Sequence, residues 1–110
     1  MRLGWLRFTK HGGMAPVHLS ILKRHPKKWP RDRGGEYDDV SSSAAYIRLS
    51  PDQSGESLRQ NAKHEVRHHV ITEWMFYSGI HLTDAQEHDL IAKLEDGDCS
   101  MREQFPGLWT

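Results

Sequence analysis

The stretch "NAKHEVRHHVITEWM", residues 61–75, decides how the rest of the chain is read. It sets His64, Glu65 and His68 in the order H-E-x-x-H. In a helix, positions four apart share one face and lie about 6 Å apart along the axis, at roughly 1.5 Å per residue. Two imidazoles so placed reach one ion at roughly 2.0–2.1 Å. Glu65 is turned by about a hundred degrees from His64. That is too far to share the ion comfortably, but near enough to reach a water beside it. The spacing separates ligands, His64 and His68, from a general base, Glu65. With eight His and seven Glu in 110 residues, the pattern arises by chance in roughly one shuffled sequence in thirty. The surroundings therefore have to carry the argument.

Outward from the motif, the spacing predicts a helix from about Gly55 to Tyr77. Ser50 or Ser54 caps its start and Gly79 stops it. Leu58, Ala62, Val66, Val70 and Trp74 form one buried stripe; His64, His68, Ile71 and Met75 form a second. A helix apolar on two sides is central in its fold. "HLTDAQEHDLIAKLEDGD" (81–98) predicts a second helix, with a capping box from Thr83 to Gln86 and an end at Gly97. The turn 78–82 is short enough to make the two helices antiparallel neighbours. Upstream, "VHLSILK" (17–23) and "AAYIRLS" (44–50) alternate like half-buried strands. Pro, Gly, charge and a serine run between them read as a long loop or extended hairpin. The tail from Cys99 is expected to fold Phe105, Leu108 and Trp109 back onto the domain. The expected class is α+β: a small two- or three-stranded sheet packed on an antiparallel helix pair. Residues 17–110 make one domain, preceded by a loosely ordered segment, 1–16, in which Met14 rivals Met1 as the start.

A catalytic zinc needs a third protein ligand and an open position. Glu87 is the candidate. It shares a helix face with Ile91 and Leu94, and a carboxylate on an apolar seam is costly unless paired or metal-bound. His88, on a more polar face with Asp84, Ala92 and Glu95, is the main rival and is expected outside the seam; His81 is a weaker one. His69 is read as a surface or supporting residue. His11, His18 and His25 lack ligand spacing. Asp89 is a possible acceptor for a ligand imidazole, though a solvated position suits it better. Cys99 is read as a free thiol.

The formal net charge is zero, yet residues 1–33 hold nine Lys/Arg against one Asp, and the remainder six against fourteen acidic residues. This basic segment is read first as a face that pairs with acidic groups or is solvated, and second as a site for an anionic partner such as nucleic acid. Trp5, Phe8 and Trp29 are interleaved with it and could stack on bases. The single cysteine allows no internal disulfide and suits a reducing cytoplasm. No run is apolar enough for a membrane span, and the N-terminus lacks the core of a signal peptide.

The pattern "YIRLSPDQSGESLRQNAKHEVRHHV…GIHLTDAQEHDLIAKL" resembles the minimal zinc metallopeptidase core, the zincin fold with a glutamate third ligand. Small phage- or prophage-encoded proteins and the ImmA/IrrE and SprT-like groups are similar. The resemblance covers roughly residues 17–96. It implies zinc held by His64, His68 and Glu87, with Glu65 as general base, and a peptide or protein substrate. The substrate would lie extended along an exposed edge of strand 44–49, by strand addition. Arg67 departs from the pattern, since a small or apolar residue is more usual there. The contrasting expectation is a non-catalytic binding domain that uses its basic N-terminal segment to hold nucleic acid or a protein partner.

Overall fold

Alternation along "VHLSI" and "AAYIRL" sends Val17, Ala45, Ile47 and Leu49 to one face of a sheet. These four side chains form its buried centre. The computed structural model describes residues 1–10, 13–41 and 44–109, so His11 lies outside the described residues. Four strands precede two helices: β1 Arg2–Leu6, β2 Val17–Ile21, β3 Gly35–Ser41, β4 Ala44–Leu49, α1 Gly55–Ser78 and α2 Asp84–Gln104, with a final 3-10 turn at Pro106–Trp109. The sheet order is β1-β2-β4-β3. β2 and β4 run parallel, whereas β1 and β3 pair antiparallel with their neighbours. The class is α+β, with two strands more than the alternation reveals.

β4 is therefore an inner strand, bonded on both sides, and cannot offer the free edge expected of residues 44–49. The edge nearest α1 is β3 instead. The segment expected to be loosely ordered carries β1, anchored because Arg2 to Leu6 complete a ladder on β2. Phe8, just beyond, packs against the sheet core and stacks on His69 at 5.6 Å.

α1 begins at Ser54, whose side chain accepts from Ser57 N–H, and ends at Gly79, held at φ 73° with its N–H on the Met75 carbonyl. That left-handed position suits glycine. Leu58, Ala62 and Val66 pack on the sheet, and Ile71 is buried. Val70 and Trp74, expected in the same stripe, are exposed. Val70 lies between the buried His69 and Ile71 and is turned outward. For Trp74 the reason is length, since the 24 residues of α1 span roughly 36 Å, and strands of five to seven residues reach roughly 17–24 Å. The last turns of α1 overhang the sheet.

α2 starts at Thr83 with the expected capping box, Thr83 Oγ1 accepting from Gln86 N–H and Gln86 Oε1 from Thr83 N–H. This cap fixes the first turn, which carries Glu87 and His88. Thr83→Ala should lower stability by about 1 kcal/mol, read as a shift of the urea midpoint at unchanged slope. Gly97 does not end the helix. An interior glycine costs only about 1 kcal/mol against alanine, and Asp98 beyond it is tied to Arg67 of α1. The helix stops at Phe105, where Pro106 has no N–H to continue it. Phe105, Leu108 and Trp109 stay exposed rather than covering the domain; Trp109 lies under the Arg102 guanidinium, 5.9 Å from its ring centre. No helix among the described residues is long and apolar enough to cross a membrane.

Candidate metal centre

The two motif histidines face each other. His64 Nε2 and His68 Nε2 stand 3.3 Å apart. Behind them, each Nδ1 meets a carboxylate of α2: His64 Nδ1 lies 2.5 Å from Glu95 Oε1, and His68 Nδ1 lies 3.3 Å from Glu87 Oε2. The pairings run antiparallel along the two helices, as the short turn requires. A neutral imidazole has one N–H. His64 Nδ1 is hydrogen-bonded to Glu95, and His68 Nδ1 is in ion-pair contact with Glu87; in the tautomer that keeps both protons on Nδ1, the two Nε2 atoms present lone pairs to one another. Two lone pairs at this distance repel unless a cation lies between them. Tetrahedral zinc with bonds of roughly 2.0–2.1 Å holds its nitrogen ligands roughly 3.3–3.4 Å apart. The pair thus fits zinc in spacing and in its supporting carboxylates.

Glu87 and His88 divide the expected third role. Glu87 sits on the Nδ1 side of His68, away from the Nε2 pair, and its second oxygen, Oε1, is buried without a hydrogen-bond partner. His88 is exposed, as expected of a residue outside the seam, yet its ring centre is 5.1 Å from that of His68 and it lines the same pocket. Its Nδ1–H donates to the Asp84 carbonyl at 2.8 Å, and among the described residues its Nε2 has no hydrogen-bond partner. Glu87 and His88 lie one turn before Ile91, the buried residue of α2; Glu87 is half-buried there, whereas His88 stays exposed at the rim of the pocket. Among the described residues no three of His, Cys, Asp or Glu already stand as a complete metal-binding group. The two motif imidazoles face one another, with the His88 ring beside that of His68.

Glu65 is 8% exposed and opens into a pocket of about 360 Å³, shared with His64, His68, His88, Asn61 and the segment Asp32–Gly35. Burial pushes its carboxyl up from the ordinary value, against the pull of His64 and Arg33. Gly35 makes room for it: a Cβ there would come within 3.2 Å of Glu65 Cγ and 3.0 Å of Leu49 Cδ2. Burial lowers the His68 pKa despite the nearby Glu87 carboxylate, which favours the neutral ring, the form a metal needs.

Arg67, the odd residue in the motif, points to α2 and pairs with Asp98 and, at 3.8 Å, with Glu95. Glu95 therefore serves His64 and Arg67 together. His69 is neither at the surface nor beside the metal pair. It is 1% exposed, donates from Nε2 to the Ala15 carbonyl at 2.7 Å and accepts at Nδ1 from the Tyr37 hydroxyl at 2.9 Å. Burial raises the Tyr37 pKa, which keeps it a phenol donor to His69. His25 ties Ser50 to Pro30, and His81 is exposed in the interhelical turn. Asp89 pairs with Lys93 in solvent, and Cys99 is exposed outside this pocket. Tyr46 lies with Trp5 and His18 in a cluster of rings, while Tyr77 is exposed near the end of α1; neither reaches the pocket. Trp5, Phe8 and Trp29 occupy three separate places, on the sheet, in the core and beside Arg33. They do not form one stacking stripe.

Sequence reasoning missed Glu95, Asn61 and Arg33. Glu95 carries a faint signal, since it falls on the polar face assigned to His88. Arg33 and Asn61 carry none, because only the tertiary fold brings them to the motif. Compared with protein-family models, curated proteins and solved structures, the chain matches none.

Proposed function

We propose that this chain is a zinc-dependent hydrolase, most simply a metallopeptidase, working in the cytoplasm. The observation that carries the reading is the Nε2 pair of His64 and His68, 3.3 Å apart with both rings backed by carboxylates. His64 and His68 hold the metal. When bound, zinc acidifies water and polarises a carbonyl. Glu65 takes a proton from the attacking water and passes it to the leaving amine. Its burial favours that return, since a carboxyl of raised pKa holds a proton more readily near neutrality. The peptide lies along β3, the free edge whose first residue, Gly35, lines the pocket.

For the third ligand, the observations favour His88 over Glu87. Among the described residues His88 Nε2 has no hydrogen-bond partner, and the ring lines the pocket, whereas Glu87 meets His68 from behind. Zinc content on three proteins tests this. His88→Ala should lose stoichiometric zinc. Glu87→Gln should keep it with affinity lowered about 10- to 100-fold, the usual cost of losing a group that orients a ligand. The reverse ranking would return the ligand role to Glu87. The enzyme reading itself is tested by exposing a peptide pool to the zinc-loaded protein and following new amino termini by mass spectrometry. No cleavage, with zinc bound, would leave a metal-stapled binding domain.

A further inference from the structure

The pocket in front of Glu65 contains one cation that the mechanism leaves unused. Arg33 lines it together with His64, Glu65 and His68. Its Nε donates to the Gly35 carbonyl at 3.2 Å, and its guanidinium carbon stands 5.2 Å from the centre of the Trp29 ring. Among the described residues it forms no ion pair, although Asp32 shares the wall. The wall is held firmly. The Gly34 carbonyl accepts from Gln53 Nε2 and Ser50 N–H, each at 2.9 Å. Asn61 Nδ2 donates to Gln53 Oε1 at 2.7 Å, and the Asn61 amide lies so close over Gly34 that any Cβ there would collide with it. Arg33 is exposed, but its Nε contact and the Trp29 ring orient it, and among the described residues neither NH2 group has a hydrogen-bond partner.

A guanidinium presents paired N–H groups that match a carboxylate. The remaining walls are polar side chains and glycine backbone, so this pocket offers no apolar slot to select a side chain. Its volume, about 360 Å³, is at the small end for a ligand site and holds only the immediate neighbourhood of a scissile bond.

We propose that Arg33 binds a carboxylate of the substrate, so that the site selects peptides carrying a carboxylate close to the bond that is cut. The word substrate rests on the hydrolase reading; the carboxylate site itself does not. The carboxylate comes either from a free chain end or from an Asp or Glu side chain.

The test follows the Arg33 Nε–Hε resonance in the full chain, as purified and after zinc loading. The probes are N-acetyl-alanine, N-acetyl-alaninamide and N-acetyl-aspartyl-amide. One or both acids should shift the resonance saturably and bind at least tenfold more tightly than the neutral amide; which acid does so identifies the source. Arg33→Ala should remove that preference. Arg33→Lys, which keeps the charge without the fork, should fall between, and it serves if the alanine variant folds poorly. Equal binding of acids and amide, or acid binding unchanged in Arg33→Ala, overturns the proposal. Turnover lowered in kcat alone by Arg33→Ala, with acid preference intact, also overturns it. Zinc measured on the same samples separates the two readings. Arg33-dependent acid binding in a chain that takes no zinc supports this site and sinks the peptidase. Zinc and turnover without acid preference does the reverse.

Discussion

Glu65→Gln should lower turnover about 10²- to 10⁴-fold, the usual contribution of a positioned general base, with zinc content unchanged. The amide keeps the shape of the carboxyl but cannot take a proton, and Glu65 is not placed to hold the metal. Loss of activity through unfolding is the rival explanation, and the burial of Glu65 answers it. Its raised pKa means that, from about its ordinary 4.5 upward, the native chain keeps a proton that the unfolded chain has released. The native state then binds more protons, so the stability of the metal-free chain falls as pH rises through that window. A glutamine has no charge to bury. The metal-free variant should be at least as stable as the wild type at pH 7 and should lack that slope, which urea titrations at several pH values will show. Turnover retained within a few-fold would remove Glu65 from the chemistry.

His68→Ala should remove zinc altogether. Wild type dialysed against a small excess of metal should carry close to one zinc per chain by elemental analysis, and the variant close to none. Zinc that binds only the native state adds about 2.7 kcal/mol at a free concentration one hundred times its dissociation constant. The wild type should therefore melt higher with zinc than with a chelator, while His68→Ala melts alike in both. The pH dependence of the metal-free chain gives a second check. Burial lowers the His68 pKa below its ordinary 6.5. Between the two values the unfolded chain binds a proton that the native chain resists, so stability is present above 6.5 and is lost as pH falls below it. His68→Ala should flatten this limb. Equal zinc in both proteins would show that the motif is not the binding site.

The helices were legible because their signals are local. The Thr83 capping box, the Gly79 stop and the 3.6-residue stripe each lie within a few positions of what they determine. β3 was not, because "GEYDDVS" places acidic residues where alternation would put apolar ones, and an edge strand tolerates them on its solvent side. β1 is short and interrupted by Gly4, at a shift in its register with β2. Gly97 misled because a glycine marks a helix end only when its conformation is needed there. The H-E-x-x-H spacing brought His64, Glu65 and His68 together by helical geometry alone. The choice between Glu87 and His88 could not be made that way. They are adjacent residues about a hundred degrees apart, and only the roll of α2 on α1 decides which faces the pocket. Arg33 reaches the motif through the Gln53–Asn61–Gly34 contacts, which join three separate parts of the chain.

The double duty of Glu95 has a consequence for the order of assembly. It supports His64 and also meets Arg67, so one carboxylate joins the metal centre to the packing of one helix on the other. His64 and Glu95 are 31 residues apart, and in an unfolded chain they rarely meet. A nascent α1 can display both motif imidazoles, yet they acquire their backing only when α2 arrives. On the zinc reading, the ion is a late arrival that locks a finished architecture rather than a seed around which the chain collects.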